Sequence, residues 1–326
     1  MAVNYDRPIV ISKGVKATFV DAGHILGSAQ IVFDVEENGK QFRYLFSGDI
    51  GRGGHEILRD PQPVENVDFL QIESTYGGRD HTDKMLAKEE VGNLVNETLK
   101  KNGKVIIPAF SVGRTQLIVY TLHQLTDEGV IPKVPIYVDS PLSVNATEVF
   151  RLHPECFNEG IYQFLHEKAN PFGMENLTYI RMAEHSRKLN DLTTPAIIIS
   201  SSGMCEAGRI RHHLKNNIGN PRNTVLFVGY CAQNTLGSKI MNNDSPVNIF
   251  GEPIEVRARI ARVDAFSGHA DRAELSQYVR NLTGRLARVT VVHGEEKQSL
   301  AFSKTLRELL PGAQVSVPER LETLEF

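Results

Sequence analysis

Between residues 104 and 250 one arrangement keeps returning, and it limits what this chain can fold into. "KVIIPAF" runs into "GRTQLIVYTLHQLTDEG", "VPIYVDSP" into "SVNATEVFRLH", "PAIIISSSG" into "AGRIRHHLKNN", and "NTVLFVGY" into a Gly-containing stretch. Each pair is a short, continuously apolar run followed by a segment with helical spacing. A run apolar at every position has to be covered on both faces, and the following helix supplies the cover. The pattern predicts βαβ units and a mostly parallel sheet.

The flanks read differently. The first eighty residues are β-rich: "GVKATFVDAG", "SAQIVFDVEENGKQFRYLFSGD" and "VDFLQIEST" are apolar or alternating runs broken by Gly, Asn or Pro, and "EENGK" has the composition of a hairpin turn. Met85, Leu86, Val91, Leu94, Val95 and Leu99 then recur at helical spacing up to Gly103. The irregular stretch 154–178 predicts loop and short helix. Beyond about residue 255, "IEVRARIARVDAFSGHAD" predicts a long strand ending in Gly-His. "RAELSQYVRNL" predicts a helix, "RVTVVHGE" a strand, and "KQSLAFSKTLRELLPG" a helix closed by Pro-Gly. No internal repeat or low-complexity segment is visible.

A chain of 326 residues predicts two domains, or one domain carrying a large insertion. It has no apolar run of about eighteen residues, which argues against a membrane span. "MAVNYDRPIVISKG" has neither an apolar signal core nor a small-residue cleavage pattern, so a cytoplasmic location is expected. Cys156, Cys205 and Cys231 lie far apart without a Cys-x-x-Cys pair and suggest neither a disulfide framework nor a thiolate zinc site. The net charge of −3 does not advertise a nucleic-acid partner, yet "GRIRHHLKNN" and "EVRARIARV" each offer a basic track. On charge alone, a solvated face explains them equally well.

The polar residues with most chemistry share one placement. His24, Asp49, Glu73, His269 and His293 all follow strand-like runs, most of them beside Gly, in "DAGHILGSA", "SGDIGR", "ESTYGG", "FSGHAD" and "VVHGE". Ligands of open α/β sheets sit beyond strand ends, and a neighbouring Gly lets the backbone turn and approach closely. Taken singly, each has an ordinary structural explanation. A His after a strand is usually a hydrogen-bonded structural residue, and Asp49 and Glu73 could cap a turn or a helix. Five at once, drawn largely from the residue types that bind zinc, point to a metal site.

Together with "PAFSVGRTQ", "DSPL", "SSGMCEAGRIRHHL" and "FVGYCAQNTLG", these motifs resemble the β-CASP branch of the metallo-β-lactamase superfamily, the branch of RNA-processing nucleases. The nine motifs occur in the expected order from about residue 15 to residue 300. The resemblance implies an α/β fold, a metallo-β-lactamase (αββα) core at 1–77 and 259–326, interrupted by an α/β β-CASP insertion domain at 78–258. It implies that His24 is a ligand of one zinc, His293 of a second, and that Asp49 bridges both. Glu73 would orient a site histidine, and His269 would act at the scissile phosphate as proton donor or electrostatic clamp. A His in "VHGE" resembles the RNA-cleaving members rather than the DNA-repair members. Ser111, Arg114, Ser202, Gly203, Ser267 and Gly268 would contact substrate, with Arg209 and Arg211 along its track. For "SSGM" alone, an ordinary strand-to-helix turn is an equal explanation.

The superfamily motif His-x-His-x-Asp-His does not occur in this chain, which has no His-x-His pair at all. In the family that motif precedes "DAGHILGSA", so the resemblance implies a core truncated at its N-terminus. A zinc takes about four ligands, and His24, Asp49 and His293 do not supply two zincs. The complete enzyme is expected to carry two Zn(2+), this chain partial or no occupancy. The function expected is zinc-dependent hydrolysis of RNA phosphodiester bonds, on single-stranded RNA and away from membranes, with a homodimer left open. Its rivals are an RNA-binding relative without catalysis, a DNA nuclease of the same superfamily, and a hydrolase of small esters or lactams, the last disfavoured by the size of the insertion.

Overall fold

Alternating apolar residues open the chain as a meander of β1 (Ile9–Ser12), β2 (Val15–Asp21), β3 (Ala29–Glu37) and β4 (Lys40–Phe46), followed by β5 (Phe69–Glu73). The computed structural model describes residues 3–81, 84–168 and 170–324. Asn38 and Gly39 both have positive φ, so β3 and β4 are joined by a two-residue turn with Glu37 facing Lys40.

The alternating strand and helix segments follow. They are α1 (Lys84–Lys100), β6 (Lys104–Pro108), α2 (Arg114–Asp127), β7 (Ile136–Val138), α3 (Pro141–Leu152), α4 (Glu159–Lys168), β8 (Leu177–Tyr179), α5 (Ala183–Lys188), β9 (Ala196–Ser200), α6 (Ile210–Asn217), β10 (Thr224–Phe227) and α7 (Leu236–Met241). A hairpin of β11 (Val247–Ile249) and β12 (Glu252–Ile254) precedes β13 (Arg259–Arg262). The long strand expected from "IEVRARIARVDAFSGHAD" is therefore broken: β12 ends at Ile254, β13 spans four residues, and Asp264–Phe266 form a single tight helical turn. The stretch 154–178 contains a short turn at Pro154–Cys156, the two-to-three-turn helix α4 and the strand β8.

The chain closes with α8 (Arg272–Asn281), β14 (Arg288–Val292), α9 (Glu296–Leu309) and β15 (Gln314–Ser316). Two compact units result, 1–81 with 268–326, and 82–267. Both boundaries lie later than those expected at 77/78 and 258/259. The His81 N–H donates to the Asp271 carboxylate and Tyr76 bridges Asp271, which ties the 76–81 loop to the first unit. At the other end, β13 pairs in parallel with β10 and so belongs to the insertion.

In the first unit the sheet order is β1-β2-β3-β4-β5-β14-β15, antiparallel up to β4 and parallel from there on. One face carries Val20, Val32, Leu45, Leu70, Ile72, Val289 and Val291, buried under α8 and α9 by Leu275, Tyr278, Val279, Phe302 and Leu306. The other face carries Phe19, Ile31, Phe33, Tyr44, Phe46 and Phe69. Strand register sets these side by side: Phe19 with Ile31, Ile31 with Phe46, Phe33 with Tyr44, Tyr44 with Phe69. All six are only half-buried.

In the second unit six parallel strands run in the order β13-β10-β6-β9-β7-β8. The connections from neighbouring β6 and β9 leave in opposite directions along the sheet, to β7 and to β10 respectively. In such sheets ligands bind beyond the strand ends at that switch. No helix among the described residues is long and apolar enough to cross a membrane.

Candidate metal centre

Strand direction gathers the polar residues. β2 and β4 are both antiparallel to β3 and so point the same way, and β5 and β14 run parallel to β4. The C-terminal ends of β2, β4, β5 and β14 thus share one rim of the sheet, where Glu73 ends β5 and His24, Asp49 and His293 follow the other three strands. Gly51 closes the rim: its N–H donates to the Ala22 carbonyl at 2.8 Å, and it bridges His269, which leads into α8. A Cβ at Gly51 would stand 1.9 Å from the Gly23 carbonyl oxygen, so only glycine lets these two loops meet.

Asp49 lies between two imidazoles and offers each a different oxygen. Its Oδ2 is 3.9 Å from His24 Nε2, and its Oδ1 is 3.4 Å from His293 Nε2. His24, Asp49 and His269 also present one ligand atom each within 4.8 Å of one another. The ring of His269 is 4.2 Å from that of His24 and 6.2 Å from that of His293, centroid to centroid. The structure places His24, Asp49 and His293 side by side, and His269 stands in the same cluster, its ring nearer to that of His24 than to that of His293.

Glu73 is 1 % exposed and receives N–H groups from Ile50 at 2.7 Å and Thr75 at 3.3 Å. Both its oxygens lie 3.1 Å from His269 Nδ1. Burial pushes the carboxyl up, but the hydrogen bonds from His269, Thr75 and Ile50 together outweigh it and hold the group below its usual range. Burial, then the neighbouring His269, pushes His24 down, against the opposing pull of Gly268, Asp49 and Glu73. A histidine kept neutral in this way is in the protonation state that ligates metal.

This donor set fits part of a zinc site. Two imidazoles face opposite oxygens of one carboxylate, the geometry that a bridging carboxylate needs. The nitrogen of His24 that faces this carboxylate is Nε2, and a metal held there would take that nitrogen.

One supporting group escaped the sequence reading. The ring Nε2 of His81 is 3.2 Å from the His269 carbonyl oxygen, and its ring lies 4.3 Å from that of Tyr76, over which the Arg79 guanidinium stands at 4.5 Å. The signal was the run "ESTYGGRDH", which carries these three residues immediately after Glu73.

The residues expected to touch substrate divide between the units. Ser111, Arg114, Ser202 and Gly203 stand beyond the ends of β6 and β9, and a Cβ on Gly203 would press to 2.8 Å on the Phe110 ring, so the two loops touch. Ser267 is the last residue of the inserted unit and 4 % exposed. Gly268 is the first residue of the returning chain, against His24. Arg209 is committed elsewhere. It donates to the buried Asp139 at 2.7 Å, where His213 Nε2 at 2.6 Å and Ser186 Oγ at 2.6 Å complete a charged cluster.

Comparison with known proteins identifies the family. Residues 115–240 match the model of the Beta-Casp domain, and 253–318 match that of the Zn-dependent metallo-hydrolase RNA specificity domain. Ribonuclease TTHA0252 of Thermus thermophilus is 36% identical over 299 residues, covering 92% of this chain and 67% of the relative. An RNase J-like protein of Methanocaldococcus jannaschii is 33% identical over 316 residues, 94% of this chain and 70% of the relative. Transcription termination factor FttA of Pyrococcus abyssi is 32% identical over 337 residues, which takes in 100% of this chain and 51% of that protein. The chain thus spans about two thirds of the first two relatives and about half of the third. With its sheet-rim histidines, shared carboxylate and inserted parallel α/β unit, this chain belongs to the β-CASP branch of the metallo-β-lactamase superfamily.

Proposed function

We propose that this chain serves zinc-dependent hydrolysis of RNA phosphodiester bonds, with single-stranded RNA as substrate. The observation that carries the reading is Asp49, whose two oxygens each face a different histidine. The names of the relatives, ribonuclease and RNase J-like protein, support the same chemistry.

His24 and Asp49 would hold one zinc, and Asp49 and His293 a second. When bound, zinc activates water and offsets the charge that builds on the phosphate oxygens. The remaining work falls to Glu73 and His269. The Glu73 carboxylate accepts the N–H of His269 Nδ1, which fixes the tautomer and aims Nε2 away from the buried side. Nε2 can then hold a proton for the departing oxygen of the cleaved strand. Ser111, Arg114, Ser202 and Gly203, at the strand ends of the inserted unit, would bind the RNA backbone, and Ser267 and Gly268 a phosphate next to His269.

Three protein donors do not complete two zinc sites of about four ligands each. We therefore expect purified chain to hold fewer than two zincs, measured by elemental analysis, and to cut single-stranded RNA far more slowly than a nuclease with a complete set. Replacing Asp49 by Ala should abolish the zinc that is bound. Zinc binding unchanged by Asp49→Ala, or a parent chain that binds no RNA, would overturn the proposal. RNA binding with no cleavage at any zinc concentration would favour the reading of a binding relative.

A further inference from the structure

The hairpin of β11 and β12 has a turn its sequence does not suit. Ile249 pairs with Glu252, which leaves Phe250 and Gly251 as the two turn residues, and both have positive φ, 56° and 84°. Two-residue turns of this kind prefer Asn-Gly, because an L side chain is crowded in the left-handed region. A bulky aromatic ring occupies that position here and is 42 % exposed.

The ring is not what anchors the hairpin. Val247 and Ile249, 2 % and 0 % exposed, lie in the apolar core of the inserted unit, and Lys215 of α6 bonds Glu252 at 2.6 Å. Phe250 instead lies against two planar side chains at the start of α6. The Arg211 guanidinium carbon stands 4.3 Å from the ring centroid, and the His212 ring 4.6 Å away at 35°. The Arg211 Nε is buried without a hydrogen-bond partner. The first turn of α6 has no acidic residue to complement the helix dipole, and Arg211 sits there instead, adding positive charge where a helix already has it. Flat groups, exposed aromatic surface and uncompensated positive charge in one place are what an unpaired base with its phosphate requires.

We propose that Phe250, Arg211 and His212 form a stacking platform for one base of single-stranded RNA, with Arg211 and His212 taking the adjoining phosphate. This rests on the RNA reading above and assigns to it a contact outside the metal centre.

The test uses the absence of tryptophan from the chain. Phe250→Trp introduces a single indole, whose emission should be quenched as a 12-nucleotide oligoadenylate is added, saturating with the binding curve read from the anisotropy of labelled RNA. Phe250→Asn suits the turn, so its thermal midpoint should equal or exceed that of the parent, while RNA affinity falls about tenfold. Parent-like affinity in a folded Phe250→Asn chain, or unchanged indole emission at saturating RNA, would overturn the platform and leave the RNA reading standing. No RNA binding by the parent would overturn both.

Discussion

Gly51 is where a single atom decides whether Asp49 and His24 can stand together at the candidate metal centre. Its hydrogen position points at the Gly23 carbonyl 1.9 Å from where a Cβ would be, and the obstacle is backbone rather than a flexible side chain. Gly51→Ala should cost about 3 kcal/mol, at the upper end for overpacking, and separate Asp49 from His24. Denaturant titration would register the first effect, and loss of zinc retention the second. Glu73 makes the complementary case. Glu73→Ala would leave the Ile50 N–H and His269 Nδ1–H without their buried acceptor, a loss of about 2 kcal/mol. The His269 ring would also lose its fixed tautomer, visible in long-range proton–nitrogen spectra of the imidazole. A spectrum unchanged from the parent would show that something other than Glu73 orients the ring.

Elements differ in how openly the sequence announces them. The parallel strands of the insertion were legible because continuous apolar runs of four or five residues, such as Ala196–Ser200, admit no other cover than helices on both faces. The placement of His24, Asp49 and His293 was legible because glycine adjoins each of them just past a strand end. The breaks between β12 and β13 were not. Alternation in "IEVRARI" continues unbroken through residues that leave one hairpin and join another sheet, and only the pairing of β13 with β10 reveals the change. The Asp139 cluster was also hidden, since its members come from three separate stretches of chain. Asp139 and His213 are 0 % and 1 % exposed, which makes the cluster a structural tie between β7, α5 and α6.

Asp139→Asn would leave Arg209 and His213 facing an uncharged amide, a destabilisation of about 3 kcal/mol that thermal unfolding would reveal. Burial raises the Asp139 carboxyl, but the hydrogen bonds from His213, Ser186 and Arg209 outweigh it and hold its pKa below the ordinary 3.8. A depressed acid stabilises the folded chain above the unfolded pKa, and that contribution disappears as pH falls through the folded one. The difference in stability between parent and Asp139→Asn should therefore persist from neutral pH to about pH 4 and narrow below it. A difference that stayed constant down to pH 2 would contradict the assignment.

On the scale of the whole molecule, the two faces of the seven-stranded sheet present unequal surfaces. Helices seal one, while Phe19, Ile31, Phe33, Tyr44, Phe46 and Phe69 remain half-buried on the other. Contiguous apolar surface of this kind promotes association. The chain should enhance the fluorescence of an apolar dye and scatter more light as its concentration rises. Phe33→Lys together with Phe46→Glu should suppress both at little cost in thermal stability. A large drop in melting temperature instead would mean that this face is packed against something in solution.

The pairing of β5 with β14 carries a consequence for synthesis. It joins Phe69–Glu73 to Arg288–Val292 across the whole insertion. A ribosome that makes about 5–20 residues per second needs some ten to forty seconds to deliver the second strand after the first. During that interval the nascent N-terminal meander waits with an open edge at β5, while the inserted α/β unit is already long enough to fold by itself. Folding should therefore spread from the inserted unit to the strands that flank it, and the rim carrying His24, Asp49, Glu73 and His293 would be the last part to gain its shape.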